Sequence, residues 1–247
     1  DIQPDLDRRR PGQSKIVTPR DEADKVQILS GTFEGKTLGT PIMMMVHNKD
    51  FRPEAYAEMK TKFRPSHADY TYQQKFGYRN WQGGGRSSAR ETIGRVAAGA
   101  VAKKLLKQRY GVEVLAYVKQ VKKIIADVNP DKVRLRDVEA NIVRCPDSAV
   151  ADKMIRLIER TRKAGDTVGG TVEVIAENVP IGLGSHVHWD RKLTTRMAAA
   201  VMSINAVKGV EFGAGFTQAD MRGSQVHDVI KPILEWKRSP EGGWHRP

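Results

Sequence analysis

Cysteine is almost absent from this sequence, with Cys145 the only one in 247 residues. A single cysteine excludes an internal disulfide framework and any metal site built from paired cysteines. It is typical of proteins from reducing compartments, so we expect a cytoplasmic location. A chain of this length can instead bury a substantial hydrophobic core.

Long apolar runs are also missing. The longest notable one, residues 41–46, is far shorter than the ~20 residues that a membrane-spanning helix needs. We therefore expect no membrane span. Residues 1–20 are charged and contain proline, unlike a secretory signal peptide. A plastid location stays open if a transit peptide was lost upstream.

Acidic residues are outnumbered by basic ones, 29 to 42, which gives a net charge of +13. Such an excess attracts nucleic acid, acidic membranes, or phosphorylated and carboxylated metabolites. Only 6% of the residues are aromatic, the basic residues are scattered, and no nucleic-acid-binding motif is present. The sequence therefore favours a small anionic ligand, with a basic nucleic-acid-binding protein as the alternative.

The order of sequence patterns predicts an α+β fold. Apolar residues at helical spacing predict helices over 91–110, 147–164 and 189–207, and shorter apolar or alternating runs predict strands over 26–29, 41–46, 112–118, 171–175 and 210–212. Helices interleaved with turn-rich strand pairs favour a β-α-β sandwich, in which helices pack against antiparallel sheets. We expect one domain over residues 1–247.

Residues 83–92 are the most informative stretch. Three glycines precede Arg86, two serines and Arg90, and Ser88 with Glu91 fits a capping box that opens the first predicted helix. Free amides at a helix start can bind an anion, and the neighbouring arginines and flexible glycines favour that interpretation over an ordinary capped helix. The spacing matches neither a P-loop nor a dinucleotide-binding fingerprint.

Two further groups of residues are candidates for the same pocket. His67 lies between Arg64 and Asp69 in a turn-like segment, where the charged neighbours can set its tautomer and its charge. The basic run 8–10 with Lys15 is the other group. His186 and His188 have no third ligand nearby, so we interpret them as structural and expect no metal site.

These motifs resemble those of the chorismate synthase family. The resemblance lies in residues 64–72 (Arg-Pro-Ser-His-Ala-Asp-Tyr-Thr-Tyr), 83–92 (Gly-Gly-Gly-Arg-Ser-Ser-Ala-Arg-Glu-Thr) and 95–100. It continues in residues 7–12, 30–42, 182–184, 202–209, 223–225 and 227–228. The matches follow the family order along nearly the whole chain.

The resemblance implies a lyase of the shikimate pathway for aromatic amino acids. The implied reaction is the 1,4-anti elimination of phosphate from 5-enolpyruvylshikimate 3-phosphate, which gives chorismate. It implies reduced FMN as cofactor, NADPH in members that reduce their own flavin, a β-α-β sandwich, and a homotetramer. It implies neither nucleic acid nor membrane as a partner.

Roles follow from the same resemblance. His67 matches the family's catalytic proton donor near the reduced flavin. The flavin-binding positions are Arg86, Ser87, Ser88, Asn205 and Ala206. Arg9 and Lys15 match basic positions near the substrate pocket, which bind the nicotinamide phosphate in some members. We add Arg64 and Arg90 as ligands for the anionic groups of the substrate.

Some family segments are missing from this sequence. A family Gly-Glu-Ser-His-Gly segment precedes Asp1 in the family order, and the family's C-terminal segments lie beyond Pro247. Lys231-Pro232 resembles a Lys-Pro pair of the family in a different context. We therefore expect a chain truncated at both ends, and an inactive fragment that binds flavin or substrate without turnover is a further alternative.

Overall fold

A computed structural model describes residues 1–83 and 85–227, together with the backbone of residues 237–238 and 244–245. The chain divides into two compact units. The first unit contains residues 1–83 and 93–177, and the second contains residues 84–92 and 178–247. The predicted Lys231-Pro232 resemblance and Asp228 lie outside the described residues. The prediction of one domain over 1–247 stays a prediction.

The first unit contains five α-helices and seven strands. The helices are α1 (Gln3–Arg9), α2 (Asp69–Phe76), α3 (Thr92–Tyr110, of which Thr92 belongs to the second unit), α4 (Leu135–Val138) and α5 (Ser148–Lys163). The strands are β1 (Val26–Ile28), β2 (Thr32–Phe33), β3 (Lys36–Thr37), β4 (Met44–Val46), β5 (Glu113–Val121), β6 (Ile124–Ile125) and β7 (Gly170–Glu177). Short 3-10 helices cover Pro53–Lys60 and Pro130–Lys132.

Every strand pair is antiparallel. β1 pairs with β4, β2 pairs with β3, and β5 lies between β6 and β7 in a three-stranded sheet. The turn between β1 and β2 requires glycine, because Gly31 has φ +82° and a Cβ there would lie 2.6 Å from the carbonyl oxygen of Pro41. Helices with antiparallel sheets confirm the α+β class.

The core lies in three clusters of the first unit. α5 packs Ala151 and Met154 against Val121 and Cys145, all of them buried. α1 packs Leu6 against Ile93 and Ala97 of α3, and Tyr117 of β5 packs against Val133 and Val138. Burial raises the pKa of the Cys145 thiol, which suits a packing role better than a reactive one.

One face of the three-stranded sheet carries exposed valines. The alternation predicted for residues 171–175 is present, with Glu173 and Ile175 half-buried on one side. Val172 and Val174 on the other side are 60% and 62% exposed. Tyr117 lies opposite Glu173 and donates a hydrogen bond to its carboxylate, which also accepts from Lys119.

The described part of the second unit consists mainly of short helices. They are a 3-10 turn at Ala89–Glu91 that leads into α3, a 3-10 turn at Trp189–Arg191, α6 (Leu193–Met202), a 3-10 turn at Gly215–Asp220 and α7 (Gly223–Val226). The unit also contains the backbone of two short paired strands, β8 (Lys237–Arg238) and β9 (Trp244–His245). Among its described residues α6 has no buried side chain, and Leu193 and Met197 on its apolar face are exposed.

The helix predicted over 189–207 is interrupted and ends early. Lys192 is extended, at φ −61° and ψ 138°, and separates the 3-10 turn from α6. Ala206 has φ +70°, which no right-handed helix accommodates. The other two helices are confirmed within a residue or two, and Leu105 of α3 is 56% exposed.

The strand predicted over 210–212 is wrong. Those residues have no strand conformation, and the chain turns at Gly213 (φ +60°) into the 3-10 helix. A short apolar run becomes a strand only where another strand lies alongside it, because isolated strands leave their backbone groups unpaired. The strand predicted over 41–46 is confirmed only as β4.

None of the helices formed by the described residues is long and apolar enough to cross a bilayer.

Candidate functional site

The loop before α3 is organised around Ser88. The Ser88 hydroxyl accepts a hydrogen bond from the Arg90 amide at 3.2 Å, so the predicted cap is present. The reciprocal half of the capping box is not formed, because the Ser88 amide donates to Gly85 at 2.9 Å and Glu91 instead accepts from the Arg86 guanidinium. The Ser88 hydroxyl can also donate its hydrogen to a ligand.

Asn205 holds this loop from a distant part of the chain. Its Nδ2 donates to the carbonyl oxygen of Ser88 at 2.8 Å and to that of Arg86 at 3.2 Å. Ala206 follows in the left-handed conformation, which reverses the chain directly after the contact. The structure therefore brings together the loop 86–88 and the pair 205–206, more than 115 residues apart in sequence.

This group of residues fits a phosphate-bearing ligand. The Arg86 side chain is 84% exposed and its ion pair with Glu91 lies at the surface, so its guanidinium can reach an anion at low cost. A fixed loop with an arginine, serine hydroxyls and a helix start supplies the donors that a phosphate requires.

His67 belongs to a second cluster, in the first unit, with Arg64 and Asp69. Arg64 donates to Asp69 through Nε and Nη2, both at 2.8 Å, and its backbone amide donates to the same carboxylate at 3.1 Å. His67 Nδ1 lies 3.0 Å from Asp69 Oδ1 and 3.2 Å from Arg64 Nη2. The Arg64 guanidinium also lies over the Tyr56 ring, 5.7 Å from its centroid.

The ion pair between Arg64 and Asp69 has a clear electrostatic signature. Hydrogen bonds from Arg64 hold the pKa of the Asp69 carboxyl well below its usual range, although burial opposes this shift. The same hydrogen bond raises the pKa of Arg64. Asp69 is thus a carboxylate at every working pH.

We expect this carboxylate to make stability depend on pH in acid. Because the folded pKa of Asp69 lies below the ordinary value of about 3.9, its contribution is complete above about pH 5 and is lost as the pH falls toward the folded pKa. Asp69→Asn should lower the free energy of unfolding by about 2 kcal/mol at pH 7. Urea unfolding of both chains from pH 7 to pH 2 should show this difference shrinking in acid, and a constant difference would contradict it.

Arg9 and Lys15 each pair with a separate carboxylate. Arg9 Nη1 lies 2.8 Å from the buried Asp24, and Lys15 Nζ lies 2.5 Å from Glu159, whose pKa this hydrogen bond lowers. Arg9 lines a cavity of about 390 Å³ with the basic side chains of Arg8, Lys103 and Arg144. Lys15 does not line that cavity.

Sequence reasoning placed Asp69 near Arg64 and His67, but it missed the acidic partners of Arg9, Lys15 and Arg86. Glu91 was assigned to the cap, while Asp24 and Glu159 were not singled out. The pairs formed by Arg9 and Lys15 join residues that are 15 or more positions apart, so no local pattern indicates them. The short spacing between His67 and Asp69, by contrast, did indicate their contact.

His188 contacts a neighbouring aspartate. His188 Nδ1 lies 2.7 Å from Asp190 Oδ1, and both side chains are more than half exposed. Within residues 1–83 and 85–227, no three His, Cys, Asp or Glu side chains are grouped so that they could hold a metal ion.

Comparison with known proteins identifies one family that matches nearly the whole chain. The model of the family described as chorismate synthase matches residues 1–245. The chain is 60% identical over 230 residues to chorismate synthase of Trichodesmium erythraeum (strain IMS101), covering 93% of this chain and 62% of the relative. It is also 60% identical over 228 residues to chorismate synthase of Crocosphaera subtropica (strain ATCC 51142 / BH68), covering 92% of this chain and 62% of that relative.

A solved structure agrees. The crystal structure of a chorismate synthase matches with a TM-score of 0.70 and 33% identity, over 99% of this chain and 68% of the other. This chain spans 62% of the length of the Trichodesmium and Crocosphaera relatives.

Proposed function

Because this chain belongs to the chorismate synthase family, we propose that it takes part in the 1,4-anti elimination of phosphate from 5-enolpyruvylshikimate 3-phosphate to give chorismate, with reduced FMN as cofactor. In this reaction the bond from C3 to the phosphate oxygen breaks, the C6 proton leaves, and a new C–C double bond forms. The observation that carries the proposal is the family match over residues 1–245, which includes His67, the loop 86–88 and Asn205.

The chain's own residues have assigned roles in this proposal. Arg86 and the hydroxyls of Ser87 and Ser88 bind the flavin phosphate, and Asn205 with Ala206 keeps their loop in place for it. The donor set supports this assignment, because the Asn205 amide fixes the loop backbone while the Arg86 guanidinium stays exposed. Reduced FMN, when bound, supplies electron density to the departing allylic phosphate without net oxidation.

His67 is the proposed proton donor. Its imidazole is 29% exposed and so is accessible to a ligand. Arg9, Lys15 and Arg90 are proposed to contact the anionic groups of the substrate or, in a self-reducing enzyme, those of NADPH. Arg64 was assigned to the same role, but its guanidinium is bound to Asp69, so its contribution is through that ion pair.

The remaining features of the proposal come from the family. We propose a β-α-β sandwich in a homotetramer located in the cytoplasm, or in a plastid if a transit peptide precedes the chain. The antiparallel pairing and the mixed α+β content support the sandwich. The net charge of +13 suits a substrate with two carboxylates and a phosphate.

A second candidate is binding of flavin or substrate without turnover. The observation that favours it is that the loop 86–88, held by Asn205 with the Arg86 guanidinium exposed, can bind an anion whether or not turnover occurs. The deciding experiment is anaerobic phosphate release from 5-enolpyruvylshikimate 3-phosphate, with and without reduced FMN, together with the Kd for reduced FMN. Flavin-dependent release supports the synthase. Binding without release supports the second candidate, and the absence of both overturns the two proposals.

A further inference from the structure

The turn from residue 64 to residue 69 is built around one carboxylate. Asp69 begins α2, its side chain is only 6% exposed, and it receives three hydrogen bonds from the backbone and side chain of Arg64. Ser66 has φ +58°, which reverses the chain so that residue 64 and residue 69 meet. Such a carboxylate has little freedom to move.

His67 meets this fixed carboxylate through one ring nitrogen. Nδ1 lies 3.0 Å from Asp69 Oδ1, and Arg64 Nη2 lies 2.8 Å from the same oxygen. A carboxylate oxygen can accept from both donors at once. If Nδ1 carried a lone pair instead, that lone pair would face the negative oxygen, and only the Arg64 Nη2 group at 3.2 Å would offset the repulsion.

We propose that Asp69, held by Arg64, is the positioning residue of His67: it keeps one proton on Nδ1, so that the doubly protonated ring donates a proton from Nε2 and the neutral ring that results can accept one there. Arg64 then holds the Asp69 carboxylate in place and is not itself a ligand for an anion. The tautomer follows from contacts within the turn, whereas the use of Nε2 in catalysis rests on the proposed function.

The chain contains a second His–Asp pair that serves as a matched control for the contact between His67 and Asp69. His188 and Asp190 have the same spacing and a similar contact, with Nδ1 2.7 Å from Oδ1, but they are 59% and 55% exposed. Water competes for an exposed contact of this kind and weakens it. We therefore expect both neutral tautomers of His188 to be populated, while His67 holds one.

The first test is the tautomer of His67 in the unaltered chain. Long-range ¹H–¹⁵N spectra of the ¹⁵N-labelled protein at pH 8 to 9, assigned with His67→Ala, distinguish a protonated Nδ1 from a protonated Nε2. The proposal expects the neutral ring to carry its proton on Nδ1. A neutral ring protonated mainly on Nε2 overturns it, and this outcome does not depend on any variant folding.

The second test uses Asp69→Asn against Asp190→Asn. With the carboxylate gone, Arg64 Nη2 is free to donate to Nδ1, so the Nε2-protonated form of His67 should become populated. Asp190→Asn should leave the His67 spectrum unchanged. An unchanged His67 tautomer in a folded Asp69→Asn chain overturns the proposal.

The catalytic consequence is measured separately. Asp69→Asn should lower kcat for flavin-dependent phosphate release about tenfold or more, with KM and the Kd for reduced FMN nearly unchanged, because the ring is misoriented rather than removed. An unchanged kcat in a folded variant overturns the positioning role. If the unaltered chain shows no release, the proposed function has failed in this chain, while the tautomer spectra still decide the positioning.

Discussion

Replacement of His67 by alanine should lower the rate of flavin-dependent phosphate release about a hundredfold or more. A proton donor placed at the reacting groups typically contributes that much, and alanine has no group that can replace it. The measurement is anaerobic phosphate release at saturating substrate and reduced FMN. Because His67 is partly exposed and lies in a turn, its removal should leave the fold largely intact.

The matched control for His67 is His188→Ala. Both histidines contact an aspartate two positions later through Nδ1, so the two substitutions remove the same group from a similar local setting. We expect His188→Ala to retain the unaltered rate. If His67→Ala also retained it, His67 would have no part in the mechanism, whereas a loss in both variants would point to a general effect of the substitutions.

The double substitution Arg86→Ala with Ser87→Ala should weaken the binding of reduced FMN by about 10- to 100-fold. An arginine and a hydroxyl that contact a phosphate contribute charge-assisted hydrogen bonds of that order. The fold should change little, since the Arg86 side chain is 84% exposed and its pair with Glu91 is a surface ion pair. The measurements are the Kd for reduced FMN and the urea midpoint of the same protein.

Arg136→Ala is the control for this pair of substitutions. Arg136 is 86% exposed and lies 3.4 Å from Asp137, so it matches Arg86 in exposure and in having an acidic partner. Its removal should leave the affinity for reduced FMN unchanged. If the double variant lost stability and flavin affinity together, the loop would be a structural element and no cofactor site.

The loop 83–92 shows which structural features can be predicted from local sequence and which cannot. Ser88 as a cap and the start of α3 could be predicted, because a cap depends on residues within one helical turn. The second half of the capping box could not, since Glu91 has two partners within reach and the Arg86 guanidinium offers the stronger, charge-assisted bond. The contact of Asn205 with the loop had no local signal: the family resemblance implied only that both bind the flavin, and the structure shows the hydrogen bonds between them.

The failures of the sequence reading have one physical cause. Residues 210–212 and the ends of the helix predicted over 189–207 have suitable propensities, but propensity is overridden by the surroundings. Leu193 and Met197 show further that an apolar helix face does not always meet a core. Among the described residues, nothing covers that face closely enough to bury it.

By itself the sequence determined the α+β class, α3 and α5 within a residue or two, the existence of a third helix and the family, and it predicted an anionic ligand. These depend on composition, periodicity and local motifs, which are properties of neighbouring residues. Only the tertiary structure decided that the Arg64 guanidinium binds Asp69, and which distant groups meet: Arg9 with Asp24, Lys15 with Glu159, and Asn205 with the loop 86–88. Most of these pairings join distant parts of the chain, and their geometry depends on how the folded backbone orients the side chains.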